Sequence, residues 1–231
     1  MIHIQTKPTL QAKNKLVKIL DKEYLSDSVI LLTIENPGVS YASGQHIIIS
    51  FKDKIYDREY SIFSGEGEGN FQLLIKIVSD GFFTTVLNDS KVGDLLNFRG
   101  PHGNFCIDFL QNEKKKHYLM ATGTGIAPFV SFEKTYGKVI DFEVVHGVRK
   151  IDGATFPALF RNYKLCVSQD HSENDSKNLF SGRVTEYLRT INIDLTGVFY
   201  LCGNFDMIYD VETYLVSLGA NPNAIFKEVY F

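Results

Sequence analysis

The hydrophobic pattern changes its period once, near residue 111, and that change restricts the chain to two halves built on different plans. Before it, apolar and polar residues alternate in short runs: Leu16–Leu20, Val29–Ile34, His46–Phe51, Glu59–Phe63, Phe71–Val78 and Leu95–Phe98. Alternation of period two marks strands with one buried face. Asn36-Pro37-Gly38, Ser43-Gly44, Asp53 and Ser64–Asn70 supply the turns between them. Six short strands at this spacing predict a small antiparallel barrel, interrupted by one short helix near Phe83–Asn88. After the polar stretch Gln111–Lys116, strand and helix alternate. Strands are expected at His117–Ala121, Asp141–Val148, Lys164–Ser168, Val198–Cys202 and Ala224–Tyr230. Helical segments are expected at Ala127–Tyr136, near Phe156–Arg161, at Val184–Thr190 and at Asp206–Leu218. That alternation implies a parallel sheet covered on both faces, with ligands beyond the strand C-termini. The expected fold class is therefore two-domain: an antiparallel β-barrel over residues 1–112, then an α/β parallel-sheet, Rossmann-like domain over 113–231.

Composition removes several function classes. With 24 Lys and Arg against 27 Asp and Glu, the formal charge is −3, which gives no basic field for nucleic acid. No run of 18 apolar residues exists to span a membrane, and Met1–Lys7 lacks the apolar core of a secretory signal. Cys106, Cys166 and Cys202 are far apart, so an iron–sulfur cluster, a Cys-rich zinc site and a disulfide framework are all disfavoured, and a reducing cytoplasm is the expected location. The six histidines show no ligand spacing, and His102 and His146 are read as structural. No Gly-x-Ser-x-Gly elbow is present, so no metal is expected and no hydrolase.

Two glycine turns carry the local chemistry of the second half. Ala121-Thr-Gly-Thr-Gly-Ile-Ala-Pro128 joins the first strand to the first helix. Gly123 and Gly125 permit close backbone approach, and Pro128 suits a first helical turn. Free N–H groups at such a turn suit a pyrophosphate. Leu201-Cys-Gly-Asn-Phe-Asp-Met207 ends a strand on the same sheet edge, with Asn204 as a helix cap. In the first half, Asp57-Arg-Glu-Tyr-Ser-Ile62 places Arg58 and Tyr60 on one strand face, a cation beside an aromatic ring. Asp80-Gly-Phe-Phe-Thr-Thr85 puts two hydroxyls at a helix start, a second place for a phosphate.

Taken together and in this order, these motifs resemble the ferredoxin–NADP reductase family of flavoproteins, in its bacterial form, over nearly the whole chain. The resembling segments are Arg58-Glu-Tyr60-Ser61, Gly81-Phe-Phe-Thr84, Gly100-Pro-His-Gly103, Gly123-Thr-Gly-Ile-Ala-Pro128, Cys202-Gly-Asn-Phe-Asp-Met207 and the ending Lys227-Glu-Val-Tyr-Phe231. The resemblance implies FAD on the barrel and a nicotinamide nucleotide in the crevice between domains. For FAD it implies Arg58, Glu59, Tyr60, Ser61, Lys76, Ile77, Gly81, Phe83, Thr84, Thr85, Thr124, Tyr230 and Phe231. Arg58 and Thr84 would meet the phosphates, Tyr60 and Tyr230 the two faces of the ring system, and Ser61 the atom where hydride arrives. For NADP it implies Gly123, Thr124, Gly125, Ile126, Pro128, Arg149, Gln169, Arg183, Cys202, Gly203, Asn204 and Met207. The catalytic set would be Ser61, Cys202, Glu228 and Tyr230, with Glu228 relaying protons or placing the ring.

The implied activity is that of a ferredoxin/flavodoxin–NADP reductase, moving hydride between NADP(H) and flavin and single electrons to or from ferredoxin or flavodoxin. Such acidic partners would need a basic patch near the flavin edge. Of three basic segments that read a 2′-phosphate, Arg149 and Arg183 remain. Ser168-Gln-Asp170 replaces the third, so NADP is favoured and NAD remains an alternative. Two rival readings stand beside this one: an NADH-dependent flavin or oxygenase-type reductase, and a non-catalytic flavin electron-relay subunit.

Overall fold

The computed structural model describes residues 15–51, 56–78, 81–108, 114–169 and 177–230. Asp53, Asp80, Asp170, Phe231 and the expected boundary at residue 112 lie outside the described residues.

The first six strands are β1 (Lys15–Ser26), β2 (Val29–Ile34), β3 (His46–Phe51), β4 (Arg58–Ser61), β5 (Phe71–Lys76) and β6 (Leu95–His102). They pair antiparallel in the order β4-β3-β6-β1-β2-β5. An antiparallel bridge between Ile62 and Leu73 brings the two edge strands together, so the sheet curls into a barrel. Inside lie the alternate apolar residues of each strand, among them Val17, Ile30, Leu32, Ile47, Ile49, Leu73 and Phe98. Helix α1 (Phe82–Asp89) plugs one end with Phe83 and Leu87.

The second sheet comprises β7 (His117–Thr122), β8 (Phe142–Val148), β9 (Asn162–Val167), β10 (Leu179–Ser181), β11 (Val198–Gly203) and β12 (Ile225–Val229), all parallel, in the order β10-β9-β8-β7-β11-β12. The chain steps outward from β7 through β10, then jumps back to lay β11 on the other side of β7. That reversal is a topological switch point, where an open α/β sheet offers a crevice beyond its strand ends. Helices α3 (Val184–Leu188) and α4 (Phe205–Ser217) cover one face with Val184, Leu188, Ile208, Val211 and Leu215. The other face packs on α2 (Ala127–Tyr136) and on the barrel. A single apolar cluster holds Val29, Leu31, Phe63 and Leu74 from the first half with Leu119, Phe129, Phe132 and Tyr200 from the second.

Beside this cluster runs a buried polar seam. Ser131 Oγ donates to the Ser64 carbonyl at 2.6 Å, Ser43 Oγ lies 2.6 Å from Thr135 Oγ1, and the Ser43 N–H donates to Glu66 at 2.8 Å. Each bond crosses between the halves or ties a loop that does, and each satisfies a group that burial would otherwise leave without water.

Several elements depart from the sequence expectation. β1 runs on to Ser26 because two register shifts against β2 break its alternation. β6 continues through Gly100-Pro101 to His102. A 3-10 turn at Gly123–Ile126 precedes α2. The helix expected near Phe156–Arg161 is one 3-10 turn, Pro157–Leu159, bounded by Phe156 in a left-handed conformation at φ 59° and by Phe160 in an extended one. The edge strand β10 has three residues, too few for a period to register.

Among the described residues, no helix is long and apolar enough to cross a membrane, and no His, Cys, Asp and Glu cluster could hold a metal ion. Two histidines, His117 and His146, are fully buried. Burial holds both imidazoles below the ordinary range, His146 at about 4. The unfolded chain binds these protons near pH 6.5 while the native chain does not, so stability must fall as pH drops below about 6.5. Urea unfolding at pH 5 should give about 2 kcal/mol less stability than at pH 7 from His146 alone. Equal stability at the two values would mean that the native fold accommodates the charged ring.

Candidate functional site

The barrel and the parallel sheet face one another across a cleft of about 1740 Å3. A pocket for one small molecule measures roughly 300–1,000 Å3, so this cleft accepts more than one. Its barrel wall carries Arg58, Glu59, Tyr60 and Ser61 from β4, Lys76 from the end of β5, and Gly81, Phe83 and Thr84 at the start of α1. Its second wall carries Gly123 and Thr124, Gly203, Asn204 and Met207, all beyond the C-terminal ends of β7 and β11.

β4 sorts its side chains by alternation. Tyr60 leans on the barrel core and its ring sits 5.8 Å from that of Phe83. Ser61 faces the other domain and is buried. There its Oγ donates to Glu228 Oε1 and accepts from the Tyr230 hydroxyl at 2.7 Å. β12 delivers both partners: it pairs with β11 in parallel as far as Val229, and the Tyr230 N–H then bonds the Gly203 carbonyl at 2.8 Å. Three residues separated by up to 169 positions thus meet at the mouth of the crevice. Cys202 lies behind them, fully buried.

Burial sets the charge of this group. It raises the Glu228 carboxyl above its usual range; the Ser61 bond opposes that shift and Glu59 adds to it. It raises the Cys202 thiol well above its usual value, with Glu228 adding. It does the same to the Tyr230 phenol. The thiol therefore stays protonated and serves as a small neutral wall, not a nucleophile.

The two glycine turns pack backbone against backbone. A Cβ on Gly125 would stand 2.5 Å from the Cys202 carbonyl oxygen. Gly203 has φ 127°, and its Cβ would stand 2.8 Å from the Thr122 carbonyl oxygen. Gly123, at φ 54°, meets nothing within 4 Å and opens on the cleft. Thr122 Oγ1 accepts the Asn204 N–H at 2.8 Å, and the Asn204 side chain caps α4 by accepting from the Asp206 N–H at 2.9 Å. Gly125, Ile126 and Pro128 are buried and hold the turn without reaching the cleft.

Arg149, Gln169 and Arg183 gather at the far end of the second wall, all exposed. Backbone bonds lace their segments together: Gln169 N–H to the Arg149 carbonyl at 2.9 Å, and Gly182 N–H to the Val167 carbonyl at 2.8 Å. Lys150 stands beside Arg149 on the same wall, an addition readable from the charge pair but not singled out in the sequence. His46, Gly147, Asp206 and Asp210 also line the cleft; no motif in the sequence marks them.

The phosphate seat on α1 is built differently from the expectation. The Thr84 hydroxyl donates to the Val78 and Gly81 carbonyls and closes the turn. Thr85 is exposed and bonds Gly81, while Ile77 stays off the cleft wall. What remains for an anion is the first-turn N–H groups of α1 together with Arg58 and Lys76. Cations and N–H donors at one end, a tyrosine ring and a buried hydroxyl at the other: this donor set fits a diphosphate-linked flat ring system such as FAD.

Comparison with known proteins agrees. Residues 16–107 match the oxidoreductase FAD-binding domain. The chain is 29% identical over 226 residues to the toluate 1,2-dioxygenase electron transfer component of Pseudomonas putida, covering 89% of this chain and 64% of that protein. It is 34% identical over 139 residues to the ferredoxin–NADP reductase of Pseudomonas aeruginosa, covering 57% of this chain and 54% of that one. It thus spans between about half and two thirds of these relatives. In fold it is similar to a ferredoxin–NADP+ reductase of Neisseria gonorrhoeae solved with FAD and NADP, with a TM-score of 0.84, 20% identity, and 95% and 100% of the two chains covered. Fold and site define a two-domain protein whose first half carries an FAD-binding domain. The chain is thus similar to the oxidoreductase FAD-binding domain over residues 16–107 and, in fold, to a ferredoxin–NADP+ reductase over nearly its whole length.

The close approach of the two turns predicts a sharp intolerance at Gly203. Gly203→Ala should destabilise the fold by about 1–3 kcal/mol more than Gly219→Ala, since Gly219 shares the positive φ, 100°, but has open space. Chemical denaturation of the two variants measures the difference, and equal losses would show that the turns can separate.

Proposed function

We propose that this chain transfers hydride between a nicotinamide coenzyme, NADPH in preference to NADH, and its FAD, and exchanges single electrons with a ferredoxin or flavodoxin. The observation that carries the reading is the contact of Ser61, Glu228 and Tyr230 across the two domains, beside the Gly203 turn. FAD, when bound, takes two electrons as a hydride and releases them one at a time.

The chain's own residues supply placement. Arg58, Lys76 and the α1 N–H groups hold the FAD diphosphate, and Tyr60 backs the ring. Gly123 and Thr124 face the coenzyme diphosphate. Tyr230 covers the position that a nicotinamide ring must take, so it moves aside on coenzyme binding and gates access. A hydride taken in and electrons sent out leave one proton per turnover. The raised carboxyl of Glu228 can hold that proton at Oε2 while its Oε1 accepts from Ser61 Oγ. Arg149, Lys150 and Arg183 favour a 2′-phosphate, and none of them is ion-paired to a carboxylate among the described residues.

An oxygenase-type electron-transfer reductase using NADH is the second reading. It is favoured by the likeness to the toluate 1,2-dioxygenase electron transfer component and by the uncharged Gln169.

Anaerobic mixing with each coenzyme separates the readings. Flavin absorbance should bleach on mixing, with kcat/KM higher for NADPH; a higher value for NADH supports the second reading, and a flavin that neither coenzyme bleaches overturns both. In the same assay Ser61→Ala should slow hydride transfer about tenfold or more while FAD stays bound. An unchanged rate removes Ser61 from the reacting centre.

A further inference from the structure

His146 was read from the sequence as a structural histidine, and its surroundings give it a more definite task. It sits near the end of β8, beside Ala121 in the sheet register and fully buried. Nε2 lies 2.8 Å from the carbonyl oxygen of Gly123, and Nδ1 lies 2.7 Å from the hydroxyl of Tyr163. A carbonyl oxygen can only accept, so Nε2 carries the proton; Nδ1 then accepts from Tyr163. Burial raises the Tyr163 phenol, which keeps that donor protonated, and lowers the imidazole, which keeps the ring neutral. The tautomer is thereby fixed from both sides. The contrast is His117, equally buried, whose Nε2 has no partner.

The position of the accepting carbonyl matters. In a trans peptide the C=O of one residue and the N–H of the next point in opposite directions. Holding the Gly123 carbonyl inward on His146 therefore turns the Thr124 N–H outward. Gly123 at φ 54° faces open space, and Thr124 lines the cleft. Without the imidazole, glycine's freedom would let this peptide plane rotate, carrying the N–H away and exposing a carbonyl oxygen to the anion.

We propose that His146 is the positioning residue of the coenzyme turn: its Nε2–H pins the Gly123 carbonyl so that the Thr124 N–H points at the coenzyme diphosphate, with Tyr163 locking the tautomer. This deepens the proposed function and rests on its nicotinamide coenzyme binding at that turn.

The test compares three forms of the FAD-loaded protein with two hydride donors: NADPH, and N-benzyl-1,4-dihydronicotinamide, which carries the reactive ring but no phosphate. His146→Phe keeps an aromatic of similar bulk and loses both hydrogen bonds. His146→Gln places an amide donor near the former Nε2. Losing one N–H aimed at a charged group is worth about tenfold or more in affinity. His146→Phe should therefore raise the KM for NADPH by about that factor with little change in kcat, and leave the rate with the benzyl donor unchanged. His146→Gln should recover most of the loss. An NADPH KM for His146→Phe equal to that of the wild type overturns the proposal alone. So does an equal loss with both donors, or a folded, FAD-loaded His146→Gln no better than His146→Phe. A wild-type flavin that neither coenzyme reduces overturns the functional reading and this proposal with it.

Discussion

One apolar cluster crosses from the barrel into the parallel sheet, and the rest of the arrangement hangs on it. Phe63 stands in that cluster two residues after Ser61, so both point away from the barrel interior while Ile62, between them, fills it. A slip of one residue in β4 would turn Ser61 into the barrel and Ile62 toward Glu228. Each large side chain held there contributes about 1.5–3 kcal/mol, so the cluster as a whole outweighs the two Ser61 hydrogen bonds it positions, each worth about 0.5–3 kcal/mol. The polar contact between domains is thus a consequence of apolar registration.

The cleft divides its electrostatics by place. Its ends carry exposed cations: Arg58 and Lys76 on the barrel, Arg149, Lys150 and Arg183 on the sheet. Its middle holds titratable groups that desolvation shifts toward their protonated forms, Cys202 and Tyr230 well above their usual ranges and Glu228 in the same direction. On the proposed reading, phosphates belong at the ends and uncharged rings between them. The raised carboxyl of Glu228, with Glu59 near it, then offers a place for a single proton beside the rings.

The sequence disclosed whatever has a local period or a local turn. Alternation marked five of the barrel strands within a few residues of their ends, and the Gly123 and Gly203 turns were visible because a strand led into each and a helix out of it. What escaped it was either short or distant. The three residues of β10 are too few for alternation to show. The bulges of β1 shift its phase, which hid its second half. Phe156 takes a left-handed conformation that nothing in Ala154-Thr-Phe-Pro157 announces. The Ser43, Ser64, Ser131 and Thr135 seam joins residues up to 92 positions apart, and serine is common enough that no pattern singles these out. His146 was noticed but its partner could not be, because the bond to Gly123 runs between neighbouring parallel strands whose register the sequence does not specify.

That hydroxyl seam has a consequence for how such a protein could answer its surroundings. Most of its bonds join neutral groups that are shut off from water, so dissolved salt, which weakens attraction between exposed charges over about 8–10 Å, has little purchase on it. Ionic strength acts instead on the Lys134–Glu68 ion pair that also joins the halves, so salt can trim the rim of the contact without reaching its serines.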